Sequence, residues 1–490
     1  MKIQNKKIDE DDFLKKRKEV LAAWHTGAEV DLEEAVAYQK ATPAHKNLVN
    51  RLVQAKTAEK TLFHNLAGFT TLDQQRDLLL YLQSVGKLDV LISIYDSFTR
   101  TGRFEHVEEV VKECEKSGKN LLNGFPIVNY GVKGNRALVE SVDRPVGAAG
   151  PTVDSRLVAE IALASGYTYL QDISFIAFET YTKTASLEEI LGYFQYSNRL
   201  AGYYEERGVP VAVRASSAAG ASNAPGVAPP SLGIAGRVLG SLSLAAQGPR
   251  HIVLMNSSDG NIAQDVATSI TGQRLAREYL DRFGFTDAEV FISNGCMGGP
   301  YPLDFDQAFS QVVYAGVVGA LSRSQLVELK TFDETRAIPP RENQAKSAKG
   351  TRMMYNILRT PGIDFVNSKE VQTEIEAYER ETRAIVEKAL ELGDGDPLIG
   401  AIKAYEYGVM DNPVANNPRI KAKVMGVKDA HGAVRYLDCG NLPFTNDMME
   451  FHREKIAERE KMLGKKPDYD TIVSDMQALI AGEWLHHWHE

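Results

Sequence analysis

Cysteine is scarce in this chain: Cys114, Cys296 and Cys439 are the only three among 490 residues, and no Cys-x-x-Cys pair occurs. An odd handful of thiols without an even framework argues against a disulfide scaffold and points to a reducing compartment. All three read as small core residues. Long apolar runs are missing as well. None approaches the ~20 residues needed to cross a bilayer, and the first 13 residues lack the apolar centre of a secretory signal. Positive charge is not in excess, with 56 Lys and Arg against 65 Asp and Glu and a net charge of -9. Binding to nucleic acid in general needs clustered cations, so a small molecule or a protein is the better expected partner, and a cytoplasmic location is expected. Finally, no Gly-x-Gly-x-x-Gly or Walker-type phosphate loop follows any apolar run, which disfavours an open nucleotide-binding sheet.

What is present is an ordinary soluble composition, 43% hydrophobic and 25% charged, in a chain longer than the roughly 250 residues of a bare α/β barrel. Residues 9–60 carry Lys, Glu, Ala and Leu at helical spacing and predict a few amphipathic helices, with Asp31 as a cap. From about residue 61, short apolar runs alternate with longer amphipathic segments, the pattern of parallel strands joined by helical crossovers. Nine runs qualify as strands, near 61–67, 89–95, 120–125, 145–149, 167–173, 210–215, 251–255, 288–294 and 325–331. A closed barrel takes eight, so one of the nine is expected outside it.

The expected fold is therefore α/β. A (β/α)8 TIM barrel over 61–340 follows a helical segment 1–60 and precedes a mainly helical extension 341–490, which carries a β-hairpin near 419–438. The hairpin turn is Asp429-Ala-His-Gly432. A Gly, Pro, Ser and Ala tract at 215–231 follows a predicted strand and so belongs at the C-terminal mouth, where barrels hold their sites. It reads either as a flexible loop or as part of the site. The terminal cluster His486-His-Trp-His489 reads as a tail without metal geometry.

The densest signal is Asn123-Gly-Phe-Pro-Ile-Val-Asn-Tyr-Gly-Val-Lys-Gly134, whose many shape-restricted residues suggest backbone moulded around a bound molecule. Together with Val153-Asp-Ser-Arg156, Met297-Gly-Gly299, Lys330-Thr331 with Glu334, Ile338-Pro339, Gly408-Val-Met-Asp411 and Val434-Arg-Tyr-Leu437, it resembles the catalytic epsilon subunit of glutamate mutase, or methylaspartate mutase. The likeness covers nearly the whole chain. It implies a barrel isomerase that rearranges a carbon skeleton with adenosylcobalamin as radical source.

In that family the corrin is carried by a small separate subunit with an Asp-x-His-x-x-Gly motif that supplies the cobalt ligand. A homodimer of the larger chain completes a heterotetramer. Here the nearest match to the motif, at Asp429-Ala-His431-Gly432, lacks the final glycine and reads as the hairpin turn. The resemblance places Gly68, Asn123, Thr180, Met297, Lys330, Glu334 and Ile338 around the cofactor, with Lys330 and Glu334 at the adenosyl ribose. Thr180 stands where the family has proline, and Cys296 sits beside the Met-Gly-Gly motif.

The implied substrate clamp is incomplete. Arg100 and Tyr181 are kept, but the other two arginine positions are Leu66 and Ala149, the glutamate position is Gln171 and a tyrosine position is Ala177. A buried carboxylate deprived of its arginine costs ~3–5 kcal/mol, so glutamate is expected to bind poorly and a less charged acid or amino acid to fit. Rival readings are a glutamate mutase with its clamp rebuilt from Lys183 or Arg214, a non-catalytic scaffold for the cobalamin subunit, and an unrelated barrel lyase using Lys330.

Overall fold

Short strands apolar on both faces are buried on both faces only when helices cover a parallel sheet. Residues 3–215, 227–295 and 299–485, described in a computed structural model, follow that rule. Eight parallel strands run β1 (Leu62–Ala67), β2 (Leu91–Ile94), β3 (Val146–Ala149), β4 (Tyr169–Asp172), β5 (Ala212–Ala215), β6 (His251–Ser257), β7 (Glu289–Gly295) and β8 (Leu326–Leu329). Their spatial order, β3-β2-β1-β8-β7-β6-β5-β4, brings β3 and β4 together from the two ends of the sheet. At that seam Thr168 N donates to Val146 O at 2.9 Å, but the two strands do not form a ladder. The result is the nearly closed barrel that the alternation predicts.

The ninth run, 120–125, is not a strand. Only Phe125 bridges to Tyr95, with Phe125 N donating to Ile94 O at 2.7 Å. Gly124 ends the pairing: its φ is +145°, and a Cβ there would stand 2.5 Å from Asp96 N. The run that follows is also not moulded around a ligand throughout. Ile127–Ser141 is a helix kinked at Gly131, whose missing side chain makes room for the Glu29 carboxylate, 2.8 Å from where a Cβ would lie.

Inside the barrel, alternate residues form layers. Leu62, Ile92, Tyr169, Ala212, Val253, Phe291 and Leu326 join one apolar cluster with Leu48, Val49 and Leu52 of the helix Leu48–Thr57. That helix stops the end where the strands begin: Leu48 N bonds Thr168 Oγ1 at 3.1 Å, and Asn47 Nδ2 bonds Pro210 O at 2.9 Å. It is preceded by Glu10–Leu21 and by Leu32–Ala41, which Asp31 caps by accepting from Glu34 N. One layer up, the same strand faces turn polar, with His64, Arg214 and Glu328 all buried.

The helix Arg341–Arg359 packs against β1 and β8 in the place of a barrel's eighth helix, and Lys369–Leu392 and Pro397–Tyr407 lie over Pro230–Ala245 and Ile262–Arg282. An antiparallel hairpin, β9 (Val424–Lys428) and β10 (Val434–Cys439), follows, then Asn446–Leu463 and Tyr469–Ile480. Asp429 shapes the hairpin turn by accepting from His431 N and Ala433 N, and also pairs with Arg435 Nε at 2.8 Å. Arg435 in turn grips both oxygens of Glu374. Cys114 is buried and Cys439 half-buried, both unbridged. The His486–His489 cluster lies outside the described residues.

Gly124→Ala combines a forbidden φ with a backbone collision, and should lower stability by about 2 kcal/mol or more. Urea unfolding of the variant beside wild type measures this; an unchanged midpoint would mean that residues 120–125 do not dock on β2 as described.

Candidate active site

A cavity of about 290 Å³ opens at the C-terminal end of the strands. Its wall includes Leu66, Gly68, Arg100, Asn123, Gln171, Tyr181, Lys330, Glu334 and Ile338, nine residues expected there from the sequence. Three others do not line it. Ala149 is fully buried in the barrel's apolar cluster, and it is Gly150 and Pro151 that line the cavity next to it. Ala177 is fully buried in the main core. Thr180 is half-buried outside the cavity wall, its carbonyl accepting from Asn416 Nδ2 at 2.9 Å. Met297 lies outside the described residues, as do Cys296 and the tract 216–226.

Arg100 is held by a turn built on Asp96, whose carboxylate accepts from Phe98 N and Thr99 N at 2.9 and 3.0 Å. Arg100 Nε donates to Tyr95 O at 2.8 Å. Among the described residues no carboxylate lies within ion-pair distance of its guanidinium. Burial draws its pKa downward, against the pull of Tyr95, Tyr181 and Asp96, and it remains a cation. Beside it, Gln171 Nε2 donates to Gly150 O at 2.6 Å and the Tyr95 hydroxyl donates to the same carbonyl. Gln171 thus ties β4 to the end of β3 across the seam.

The floor is an ion pair. Arg214 Nη1 meets Glu328 Oε2 at 2.6 Å, both side chains nearly buried, and His64 Nε2 stands 4.0 Å from the same oxygen. Burial alone would raise the Glu328 pKa, but the charges of Arg214 and Lys330 outweigh it and hold the carboxylate ionised. His64, pushed down to about 4 by burial, is neutral. Arg214, named from sequence as one possible replacement for the lost clamp, therefore does face the cavity, but with its charge already opposed. Lys183, the other, is exposed and lies off the cavity wall.

The opposite wall is a fixed polar ledge. Lys330 Nζ and Glu334 Oε1 pair at 3.0 Å with 27% of each side chain exposed, and Glu334 Oε2 accepts from Thr331 N at 3.1 Å. Gln344 anchors the apolar edge of the ledge, donating to Pro339 O at 3.0 Å while accepting from Asn65 Nδ2 at 2.8 Å. Asn123 is exposed across from it. The ledge offers a cation, a carboxylate and an amide to hydroxyl groups, and Ile338 and Pro339 to a flat apolar face.

Two acidic residues were missed in the sequence. Glu328 carries no local signal, because only the curl of the sheet from β5 through β6 and β7 to β8 brings it to Arg214. Glu179 lies between Ala177 and Tyr181 and is fully buried, its carboxyl group accepting from the Tyr405 hydroxyl and from Asn412 Nδ2 at 2.7 Å. Burial raises its pKa to about 7 against those two donors, with Asp411 adding to the rise.

A barrel whose strand ends surround one charged, half-open cavity is the layout of a barrel enzyme. Sequence comparison gives the family: the profile of the Methylaspartate mutase E chain (MutE) matches residues 42–487. The chain is 37% identical over 483 residues to the glutamate mutase epsilon subunit of Treponema denticola, covering 98% of each. It is 35% identical to that of Desulfitobacterium hafniense, with the same coverage, and 33% identical over 481 residues to that of Escherichia coli O157:H7. The chain belongs to the methylaspartate mutase E chain family.

Because the folded-state pKa of Glu179 is raised from 4.5 to about 7, its contribution to stability is full below pH 4.5 and is lost as pH rises through 7. Against Glu179→Gln, which does not titrate, wild type should lose about 3 kcal/mol across that window in urea unfolding. Parallel pH profiles for the two proteins would contradict the assignment.

Proposed function

We propose that this chain is the catalytic subunit of an adenosylcobalamin-dependent carbon-skeleton mutase, acting on an acid or amino acid that makes fewer charged contacts than glutamate. The observation that carries the reading is the asymmetry of the cavity's cations. Arg100 has no ion-pair partner among the described residues, whereas Arg214 is opposed by Glu328 and Lys330 by Glu334. One unopposed guanidinium suits one carboxylate. Gln171, with its amide donor already given to Gly150, offers hydrogen-bonding capacity and no charge, while Leu66, Ile94, Ile173 and Ile176 supply an apolar wall.

The ledge fits an adenosyl group. Ribose hydroxyls both donate and accept, and Glu334 can accept from them while Lys330 and Asn123 donate; Ile338 and Pro339 suit the base. When bound, adenosylcobalamin supplies a carbon-centred radical by homolysis of its cobalt-carbon bond. The residues of this chain bind and orient: Arg100 holds the substrate carboxylate, Tyr181 covers it from the mouth, and the apolar wall excludes water that would quench reactive species.

The cobalt ligand is expected from a separate cobalamin-binding subunit with the Asp-x-His-x-x-Gly motif, since the similar stretch here is a hairpin turn. Exposed apolar side chains on the segments that follow the strands, Leu121 at 46%, Tyr181 at 45%, Leu303 at 70% and Phe305 at 47%, suit such docking. A homodimer within a heterotetramer, in the cytoplasm, is the assembly this reading carries with it.

A second reading, glutamate to 3-methylaspartate with a rearranged clamp, draws support from Arg214 lining the cavity. It asks Arg214 to serve a substrate carboxylate while Glu328 stays bonded beside it, and the like charges of the two carboxylates oppose that. Reconstitution with the cobalamin subunit and cofactor decides between them. Linear amino and hydroxy acids with one carboxylate should give a substrate-dependent radical signal by electron paramagnetic resonance, and glutamate little. Arg100→Met should raise KM for the active acid by roughly 100-fold, the cost of stripping a buried carboxylate of its partner. Robust glutamate turnover would overturn the lower-charge substrate, and silence with every acid would overturn the mutase.

A further inference from the structure

We infer that Glu179 is a positioning residue for Tyr181, holding it at the cavity mouth through the loop 408–423 of the C-terminal extension. The inference rests on the cavity being the substrate site, as proposed above. Tyr181 is the last residue of a π-helical turn, Ala177–Tyr181, that leads out of β4. Such turns are rare and are found mostly as single turns at functional sites, so what holds this one bears on Tyr181.

Nearly all of that support comes from the extension. Glu179 O accepts from Asn416 N at 2.7 Å, and Thr180 O accepts from Asn416 Nδ2 at 2.9 Å. Just beyond Tyr181, Thr184 O accepts from Arg419 Nη1 at 2.7 Å and Ala185 O from Asn417 Nδ2 at 3.3 Å. The Glu179 carboxyl group, fully buried, takes the Tyr405 hydroxyl and Asn412 Nδ2.

The loop is rigid enough to serve as a brace. Asp411, the acidic residue of the Gly408-Val-Met-Asp motif, accepts from the backbone N–H groups of Asn412, Ala422, Lys423 and Val424 at 2.7–2.9 Å. Asn412 Oδ1 accepts from Val414 N at 3.0 Å. One continuous chain of bonds therefore runs from β9 through Asp411 and Asn412 to Glu179, two residues from Tyr181. An ionisable group is costly to bury, and an apolar residue at 179 would fill space as well. What it could not do is engage both donors and so fix the turn's rotation.

The test reads Tyr181 directly, in the full-length chain with 3-fluorotyrosine at position 181. Wild type should give one fluorine resonance displaced from the free amino-acid value. Glu179→Ala and Asn412→Ala should move it toward that value and speed amide exchange of residues 177–185 by about 10-fold, with the barrel strands unchanged. Glu179→Gln, which can still meet both partners, should restore the wild-type resonance. In the reconstituted enzyme the Ala variants should raise KM for the active acid more than they lower kcat.

An unmoved resonance in Asn412→Ala, a variant that leaves the buried carboxyl group in place, would overturn the inference even if Glu179→Ala fails to fold. So would a loss of protection spread evenly over all the barrel strands. Absence of turnover by wild type with every acid tried, alongside a displaced resonance, would count against the proposed function and leave the brace supported.

Discussion

The contact between Arg214 on β5 and Glu328 on β8 sets the depth and the charge of everything above it. The two strands are joined through β6 and β7, so the pair forms where that run of the sheet curls its inner faces toward each other, and it lies buried between them in the barrel interior. Below it the interior is apolar and filled, down to the helix Leu48–Thr57. Above it the interior is open. Removing either partner would strand the other as a buried charge, at ~3–5 kcal/mol, so the pair is hard to dissolve and equally hard to recruit for another task. A barrel floored in this way presents a ligand with a neutral surface that can still donate and accept hydrogen bonds.

The two walls of the cavity are then built on different principles. The ledge of Lys330, Glu334, Ile338 and Pro339 follows directly from β8 and is pinned to β1 through Gln344 and Asn65, so it inherits the rigidity of adjacent paired strands. The facing wall spans the seam where β3 and β4 do not pair. There, side chains replace the missing ladder: Gln171 and Tyr95 share one carbonyl, Gly150 O, and the π turn is tethered from outside the barrel. A wall assembled from side chains and an external loop can be rebuilt without disturbing the barrel, whereas changing the ledge would disturb two strands.

Most of the fold was legible because it rests on local pattern. Strand and helix alternation gives a parallel barrel, and the turn residues at 429–432 give the hairpin. The excess strand at 120–125 misled because its apolar residues are real and buried; what cancels the strand is the positive φ of Gly124, which a run of residue types does not display. The cavity residues came from the family resemblance rather than from local pattern, and Leu66 and Lys330 do line it. Ala149 and Ala177 fell short for a simple reason: a methyl group does not reach into a cavity that an arginine or tyrosine at the same backbone position could line. Glu328 and Glu179 could not be read at all, since each is defined by a partner more than one hundred residues away in sequence, at Arg214 and Tyr405 respectively.

The state of the facing wall bears on whether this site was reshaped or merely decayed. Charge lost at random from a clamp would leave its former partners orphaned and buried, each costing about 1–3 kcal/mol. In the facing wall Gln171 is hydrogen-bonded and Arg100 is aimed by Tyr95 O while still lining the cavity, whereas on the floor Arg214 is paired with Glu328 but its Nε and both ring nitrogens of His64 are buried without a hydrogen-bond partner among the described residues. The cavity has also not collapsed; about 290 Å³ stays open although Leu66 and its apolar neighbours could close on one another. Keeping such a space forgoes contacts that packing would otherwise gain, as is usual for a pre-formed ligand site of the kind proposed above. One directed guanidinium in an open, otherwise charge-balanced chamber is what the proposed lower-charge substrate requires.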